Sequence, residues 1–398
     1  MNNYDIIALG LGITPPWKIV GQILDTNKKP HELRIKIKAD RGAKYPCPVC
    51  GKMCKAHDFK EKTWRHLNFF QHHCYITAVV PRTNCPDHGI KTVKVPWARK
   101  GSKFTLLFEQ AALMLVRKMP VASAAKVIKI TDKSLWRVVF HYVNKAMNAL
   151  DLSYVRAIGV DETSSGKWHK YVTIFIDMDR GKRSVIFAVA GKGKETIKSF
   201  SKYLRHHGGC PLNIAVAVCD MSKAFISGIT KEFSDAEIVV DWFHVVKLFN
   251  NAVDKVRRKE RKYCAMPSGL RWAVLKGADG KTLSQRQKEL LCELRNYAKE
   301  TAKAWRIKEM LRWINRATTF QGAKWRLSAF LRRAEDLVKD NDMLSPVKKA
   351  IQAVKNHKDK IIARWNNNYT TSLLESLNGL FQAVRTRARG YRNVYTLP

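Results

Sequence analysis

Three times between residues 156 and 241 a short apolar run stops on an aspartate: Ala157-Ile-Gly-Val-Asp161, Ile214-Ala-Val-Ala-Val-Cys-Asp220 and Ala236-Glu-Ile-Val-Val-Asp241. Such runs, rich in β-branched residues and closed by polar ones, predict strands. Lys194 to His206 and Ser222 to Glu232 read as helices between them. Directly after the first run come Trp168 to Asp177 and Arg183 to Val189, divided by the turn Asp179-Arg-Gly-Lys. Three strands joined this tightly make an antiparallel meander, and strand–helix–strand crossovers follow it. The fold class is therefore α/β, a mixed sheet with helices on its faces. In such sheets the reactive crevice lies near the carboxyl ends of strands, where Asp161 and Asp220 are expected to meet.

The two-residue period of a strand sorts the residues around the first acid. Asp161 shares a face with Ala157 and Gly159, small residues that leave space for something to approach it, while Glu162 turns away with Ile158 and Val160. Asp220 shares a face with Val216 and Val218. A single acid at a strand end is more often a turn or helix-cap residue, so the recurrence carries the argument. Asp241-Trp-Phe-His244 opens a long helix into Lys259. His244 either faces the same crevice or bonds locally.

The charge balance narrows the partners. Among 398 residues, 73 are Lys or Arg and 33 are Asp or Glu, a formal charge of +40. Self-repulsion on that scale opposes compaction unless a polyanion neutralises it, so nucleic acid is the expected partner. No apolar run is long enough to span a bilayer, and no secretory signal opens the chain. A soluble, cytoplasmic protein is expected. Nine cysteines without a signal do not suggest a disulfide framework.

Cysteine spacing points instead to metal. Cys47-Pro-Val-Cys50-Gly and Cys85-Pro-Asp-His88-Gly are matched knuckles, giving a Cys3His set with the tetrahedral preference of zinc. Four protein ligands leave no open position, so one structural Zn²⁺ is expected. Cys54, His57, His66, His72, His73 and Cys74 lie between the knuckles as competing donors.

Residues 104 to 150 predict three helices: Phe104 to Arg117, Val121 to Ile128 and Lys133 to Asn144. The last two, across a short turn, have the helix-turn-helix outline. Lys133, Ser134 and Arg137 would then lie on the exposed start of a recognition helix. A helical hairpin inside a larger core is the alternative. From Lys262 to about Ile362 the chain is helical and basic, with Trp272, Trp305, Trp313 and Trp325 interleaved. Base stacking is one use for them, and helix core is the commoner one. A final helix, Thr370 to Arg387, places Glu375 beside Gly379, and Arg385, Arg387 and Arg389 are phosphate-binding candidates.

Strand-end acids and a late helical Glu in a basic chain suit two-metal phosphodiester chemistry, in which carboxylates hold two Mg²⁺ (or Mn²⁺) ions about 3.5–4 Å apart. The knuckles, the helix-turn-helix, Ile158-Gly-Val-Asp161-Glu, Cys219-Asp220-Met-Ser, Asp241-Trp-Phe-His244 and Asn366-Asn-Asn-Tyr369-Thr-Thr-Ser-Leu-Leu-Glu375 occur in one order along the chain. With the closing Gly390-Tyr-Arg-Asn393, this succession resembles the ISL-three family of bacterial insertion-sequence transposases, of the DDE type with an RNase-H-like core. The resemblance implies Asp161, Asp220 and Glu375 as the catalytic, metal-holding triad, with an α-helical insertion between the second and third. It also implies action on transposon terminal inverted repeats and target DNA, in a homo-oligomer. The expected domains are residues 1–98 (strands and zinc finger), 99–150 (helix-turn-helix), 151–262 (first part of the core), 263–362 (insertion) and 363–398 (catalytic helix and basic tail). Trp242 departs from the pattern, standing where a basic residue is expected. A DNA-binding regulator with an inert core, or an RNase-H-fold repair nuclease, are the rival readings.

Overall fold

The computed structural model describes residues 5–164, 171–179, 184–276 and 283–367. The chain divides into two compact units, Met1–Met147 and Asn148–Pro398.

The first unit is built on six strands: β1 (Trp17–Asp25), β2 (Glu32–Ala39), β3 (Lys44–Pro46), β4 (Met53–Phe69), β5 (His72–Cys85) and β6 (Gly89–Thr92). They run in the order β1-β2-β5-β4-β3, with β6 on β5. The alternation seen in residues 33–38 is the reason for β2: Leu33, Ile35 and Ile37 are buried and their neighbours are not. Trp97 meets Trp17 and Trp64 edge-on, with centroids 5.0 and 5.8 Å apart, and fills the centre of this core. Each such aromatic pair adds about 0.5–1.5 kcal/mol beyond its buried area.

Besides a short helix at Asp5–Gly10, the unit carries α1 (Leu106–Val116), α2 (Val121–Val127) and α3 (Asp132–Asn148). Thr105 caps α1 by accepting a bond from Phe108 N, and its hydroxyl also lies 2.9 Å from His66 Nδ1 of β4. Pro120 separates α1 from α2, since proline cannot continue the helix before it.

The second unit carries β7 (Ala157–Ser164), β8 (Tyr171–Asp177), β9 (Ser184–Ala190), β10 (Val216–Cys219) and β11 (Glu237–Val240), in the order β11-β10-β7-β8-β9. The first three strands pair antiparallel, and β7, β10 and β11 pair parallel. This is the mixed sheet expected of an RNase-H-like core. Helices α4 (Lys194–His206) and α5 (Lys223–Glu232) cover one face, where Ile158, Val160, Phe175, Phe200 and Phe225 are buried together. Ala157, Val218, Val239, Ile174 and Ile176 line the other face, with Ala363.

Two local expectations change. The first strand does not stop at Asp161: β7 continues to Ser164, with Glu162 opposite Thr173 and Thr163 opposite Val172. A neighbour on β8 satisfies those backbone groups, so the polar residues need no turn. The space beside Gly159 is also occupied. A Cβ there would come within 2.7 Å of Ile176 Cγ1 and 2.9 Å of Met178 Sδ, so the glycine serves strand packing rather than ligand access.

From α6 (Trp242–Glu260) onward the described residues of the unit form helices, including α7 (Lys299–Asn315), α8 (Phe320–Val338) and α9 (Ser345–Asn356). Phe249, Val253 and Val256 of α6 are buried with Ile307, Leu311, Phe330 and Val347 of these helices. Trp242 belongs to this core: it is 8% exposed and meets Trp365 edge-on at 5.9 Å. The other tryptophans depart from the core expectation. Trp305 packs partly into it, whereas Trp272, Trp313 and Trp325 are exposed.

Candidate active site and zinc centre

The parallel ladder fixes the relation of the strand-end acids. Gly159 lies opposite Val218, and Cys219 lies opposite Val240. Continued along the strands, those registers put Asp161, Asp220 and Asp241 in one row, and residues in a row of a parallel sheet point to one face. It is the face of Ala157, Val218 and Val239.

The three carboxylates have different surroundings. Asp161 is buried, and its Oδ1 accepts a 2.7 Å bond from Glu162 N. Asp220 is half-buried, and its Oδ1 accepts from Ser222 N at 2.9 Å, turning the chain from β10 toward α5. Asp241 caps α6, accepting from Phe243 N at 2.9 Å, and its second oxygen lies 3.0 Å from His244 Nδ1. A cap of this kind contributes about 0.5–2 kcal/mol, so Asp241 is committed to structure.

Charge around the row is crowded. Burial pulls the His244 pKa down, but the Asp241 bond and the charges of Asp161, Asp241 and Asp220 outweigh it, and the net shift is upward. Glu162 is pushed upward by burial first and then by Asp220 and Asp161, against the pull of Lys192 and His244. The pleat does turn Glu162 to the opposite face, yet at the sheet rim it remains in the field of Asp220. Like charges so placed favour a bound cation, and carboxylate oxygens are the donors a hard divalent ion takes. Glu375, the third member of the expected triad, and Arg385, Arg387 and Arg389 lie outside the described residues. The role of Asp241 was missed, although an aspartate just before a helical run is itself a cap signal.

The zinc set is brought together in full. One ligand atom from each of Cys47, Cys50, Cys85 and His88 lies within 4.8 Å of all the others. Cys50 Sγ is 3.7 Å from Cys85 Sγ, and His88 Nδ1 is 3.6 Å from Cys85 Sγ and 3.9 Å from Cys47 Sγ. With a Zn–S bond of about 2.3 Å, a tetrahedron has an edge of roughly 3.8 Å, so these residues fit zinc. Gly51 and Gly89, at φ of 79° and 66°, close the two knuckles in the left-handed conformation that glycine adopts without strain. Four of the competing donors are otherwise engaged. Cys54 Sγ donates to Lys52 O, His66 bonds Thr105, His72 stacks on His31 and Cys74 is buried in the sheet core.

In the helix-turn-helix, Lys133 and Arg137 are exposed one turn apart on α3. Ser134 is half-buried, and its hydroxyl lies 2.8 Å from Thr131 Oγ1; it closes the helix start rather than presenting a free donor. Glu109 of α1, fully buried, holds the motif together by accepting bonds from Arg99 Nε at 2.9 Å, Ser102 Oγ at 2.7 Å and Tyr142 Oη at 2.8 Å.

Comparison with known proteins covers the same segments. Residues 158–397 match a family model described as a transposase. Residues 93–143 match the helix-turn-helix domain of transposase family ISL3, and residues 44–88 match the zinc-finger of transposases IS204/IS1001/IS1096/IS1165. The chain is 25% identical over 383 residues to the transposase for insertion sequence element IS1557 of Mycobacterium tuberculosis, spanning 88% of this chain and 83% of the relative. It is 24% identical over 357 residues to the transposase for insertion sequence element IS1001 of Bordetella parapertussis, spanning 87% and 85%.

Proposed function

Because the chain belongs to the ISL3 family of insertion-sequence transposases, we propose that it cuts DNA at the ends of its element and joins the freed 3′-OH to target DNA. The supporting observation is the row that places Asp161 and Asp220 side by side on adjacent parallel strands. Asp161 and Asp220 hold the catalytic ions from the sheet, and Glu375 supplies the third carboxylate. Bound there, two Mg²⁺ or Mn²⁺ ions would lower the pKa of the attacking oxygen and stabilise the leaving one. Water attacks in the cleavage step and the 3′-OH in the joining step, without a covalent protein–DNA intermediate. Asp241 orients His244 through its Nδ1 and favours the charged imidazolium beside the row.

One Zn²⁺ held by Cys47, Cys50, Cys85 and His88 braces the first unit. Lys133 and Arg137 reach the terminal inverted repeats, while Arg385, Arg387 and Arg389 bind phosphates. Two ends must be handled together, so the working form is a homo-oligomer, acting on the nucleoid in the cytoplasm. Among the described residues no helix is long and apolar enough to cross a membrane.

The test is Mg²⁺- or Mn²⁺-dependent cleavage and strand transfer on DNA carrying the element ends, with wild type beside Glu375→Gln. Loss of both steps in the variant is expected. Equal activity in the two would overturn the triad.

A further inference from the structure

We propose that the cleft between α7 and α8 holds one unpaired nucleotide of DNA, its base stacked on Trp313 and its phosphate on Arg306 and Arg333. The cleft has a volume of about 580 Å³, within the roughly 300–1,000 Å³ of sites that enclose small ligands. A paired duplex cannot enter a space of that size, but a base swung out of its stack can.

The walls match the two halves of a nucleotide. Trp305, Met310 and Trp313 of α7 and Leu337 of α8 give apolar and aromatic surface. Trp313 is 38% exposed. Trp325 meets its ring edge-on at 5.3 Å and the Arg326 guanidinium lies over one face of it at 5.5 Å, while Arg326 Nη1 donates to Trp313 O at 2.8 Å, so a base would take the opposite face. A ring held this way offers a stacking surface without an ordering cost on binding.

Arg306 and Arg333 line the same cleft. Both are exposed, and neither has a carboxylate partner among the described residues. Glu309, also on the wall, is neutralised by Lys308 and Arg312 at 3.1 Å each. Aromatic faces beside unpaired guanidiniums are the elements that bind unpaired nucleic acid without regard to sequence.

This site deepens the transposase reading and rests on it. The test uses the full chain and end-sequence duplex with one unpaired 2-aminopurine, compared with the same duplex fully paired. Wild type is expected to quench the 2-aminopurine and to prefer the DNA carrying it. Trp313→Ala should abolish the quenching and weaken that DNA alone by about 5- to 100-fold, the range for loss of one stacked base. Arg333→Gln, on an exposed side chain, should reduce the slope of log affinity against log salt by about 1. Trp272→Ala, which removes an exposed tryptophan elsewhere, should change neither.

Quenching by Trp313→Ala equal to wild type, or equal losses in Trp313→Ala and Trp272→Ala, would overturn the cleft. If end DNA is still cleaved in that case, the transposase reading stands. Quenching that depends on Trp313 in a protein that never cleaves would leave the cleft standing and remove the nuclease.

Discussion

Val218 faces Gly159 across the parallel ladder, and two residues further along each strand stand Asp220 and Asp161. That register makes two acids 59 positions apart in sequence neighbours in space. Asp161→Asn and Asp220→Asn should each cut metal-dependent cleavage by about 10²–10⁴-fold, since a bound ion contributes several kcal/mol to the transition state. Binding to end-sequence duplex, measured by anisotropy at fixed salt, should stay within twofold of wild type. A parallel loss of binding would mean that the acids only support the fold.

Zinc should be found at one per chain by elemental analysis. Cys47→Ser or strong chelation should remove it and unfold the first unit, because structural zinc supplies folding free energy on the order of 10 kcal/mol. Cys54→Ser should keep the metal, since the Cys54 thiol donates to Lys52 O and stands outside the ligand set. Zinc lost from Cys54→Ser would show the ligands to be wrongly assigned.

His66 sets an acid limit. Burial, with Arg65 next to it, pulls its pKa down to about 4, whereas in an unfolded chain it takes up a proton near 6.5. Between those values the unfolded state binds more protons, so stability falls as pH drops through that window, by at most about 3 kcal/mol. Denaturant melts at pH 7 and pH 4.5 should show the fall in wild type. It should shrink in His66→Gln, whose amide keeps a partner for Thr105 without titrating.

Trp242 gives a stability prediction that separates packing from DNA contact. Trp242→Ala should cost about 3–5 kcal/mol, the range for a large buried aromatic, and lower the melting temperature of the zinc-loaded protein without added Mg²⁺. At a matched fraction folded, duplex affinity should not change. A drop in affinity with unchanged melting would instead point to a DNA contact at Trp242.

Gly159→Ala should be milder. Its new methyl meets Ile176 Cγ1 at 2.7 Å, on a stiff and fully buried β-branched side chain, and Met178 Sδ at 2.9 Å, and overpacking of this kind costs about 1–3 kcal/mol. A calorimetric scan decides it, and a gain in stability would contradict the contact.

What could be read from the chain beforehand was whatever depends on period and spacing. Lys194–His206 forms the expected helix, Trp17 to Leu24 lies in β1, and the matched knuckles converge on one tetrahedral set. Pairing partners were not legible. Nothing local at Glu162, Thr163 and Ser164 says that β8 will lie beside them, so a turn was expected where a strand continues. Gly159 suggested open space because the residues that fill it arrive from the neighbouring strand and the turn after it. The exposed Trp272, Trp313 and Trp325 ran against the usual habit of tryptophan, because only the packing of the helices on one another decides which rings are covered.

The backbone treats the two neighbouring acids unequally. Asp161 has three further residues of β7 beyond it, all paired with β8, so it is anchored from both sides like a post set mid-wall. Asp220 follows the last residue of β10 and is held by a bond to Ser222 N, like a latch on a hinge. Sequence drift in the Met221–Ser222 turn can therefore re-aim the second acid while the first stays fixed. Divergent copies of such an element should vary in which divalent ion they prefer through the residues after Asp220, and hardly at all through β7.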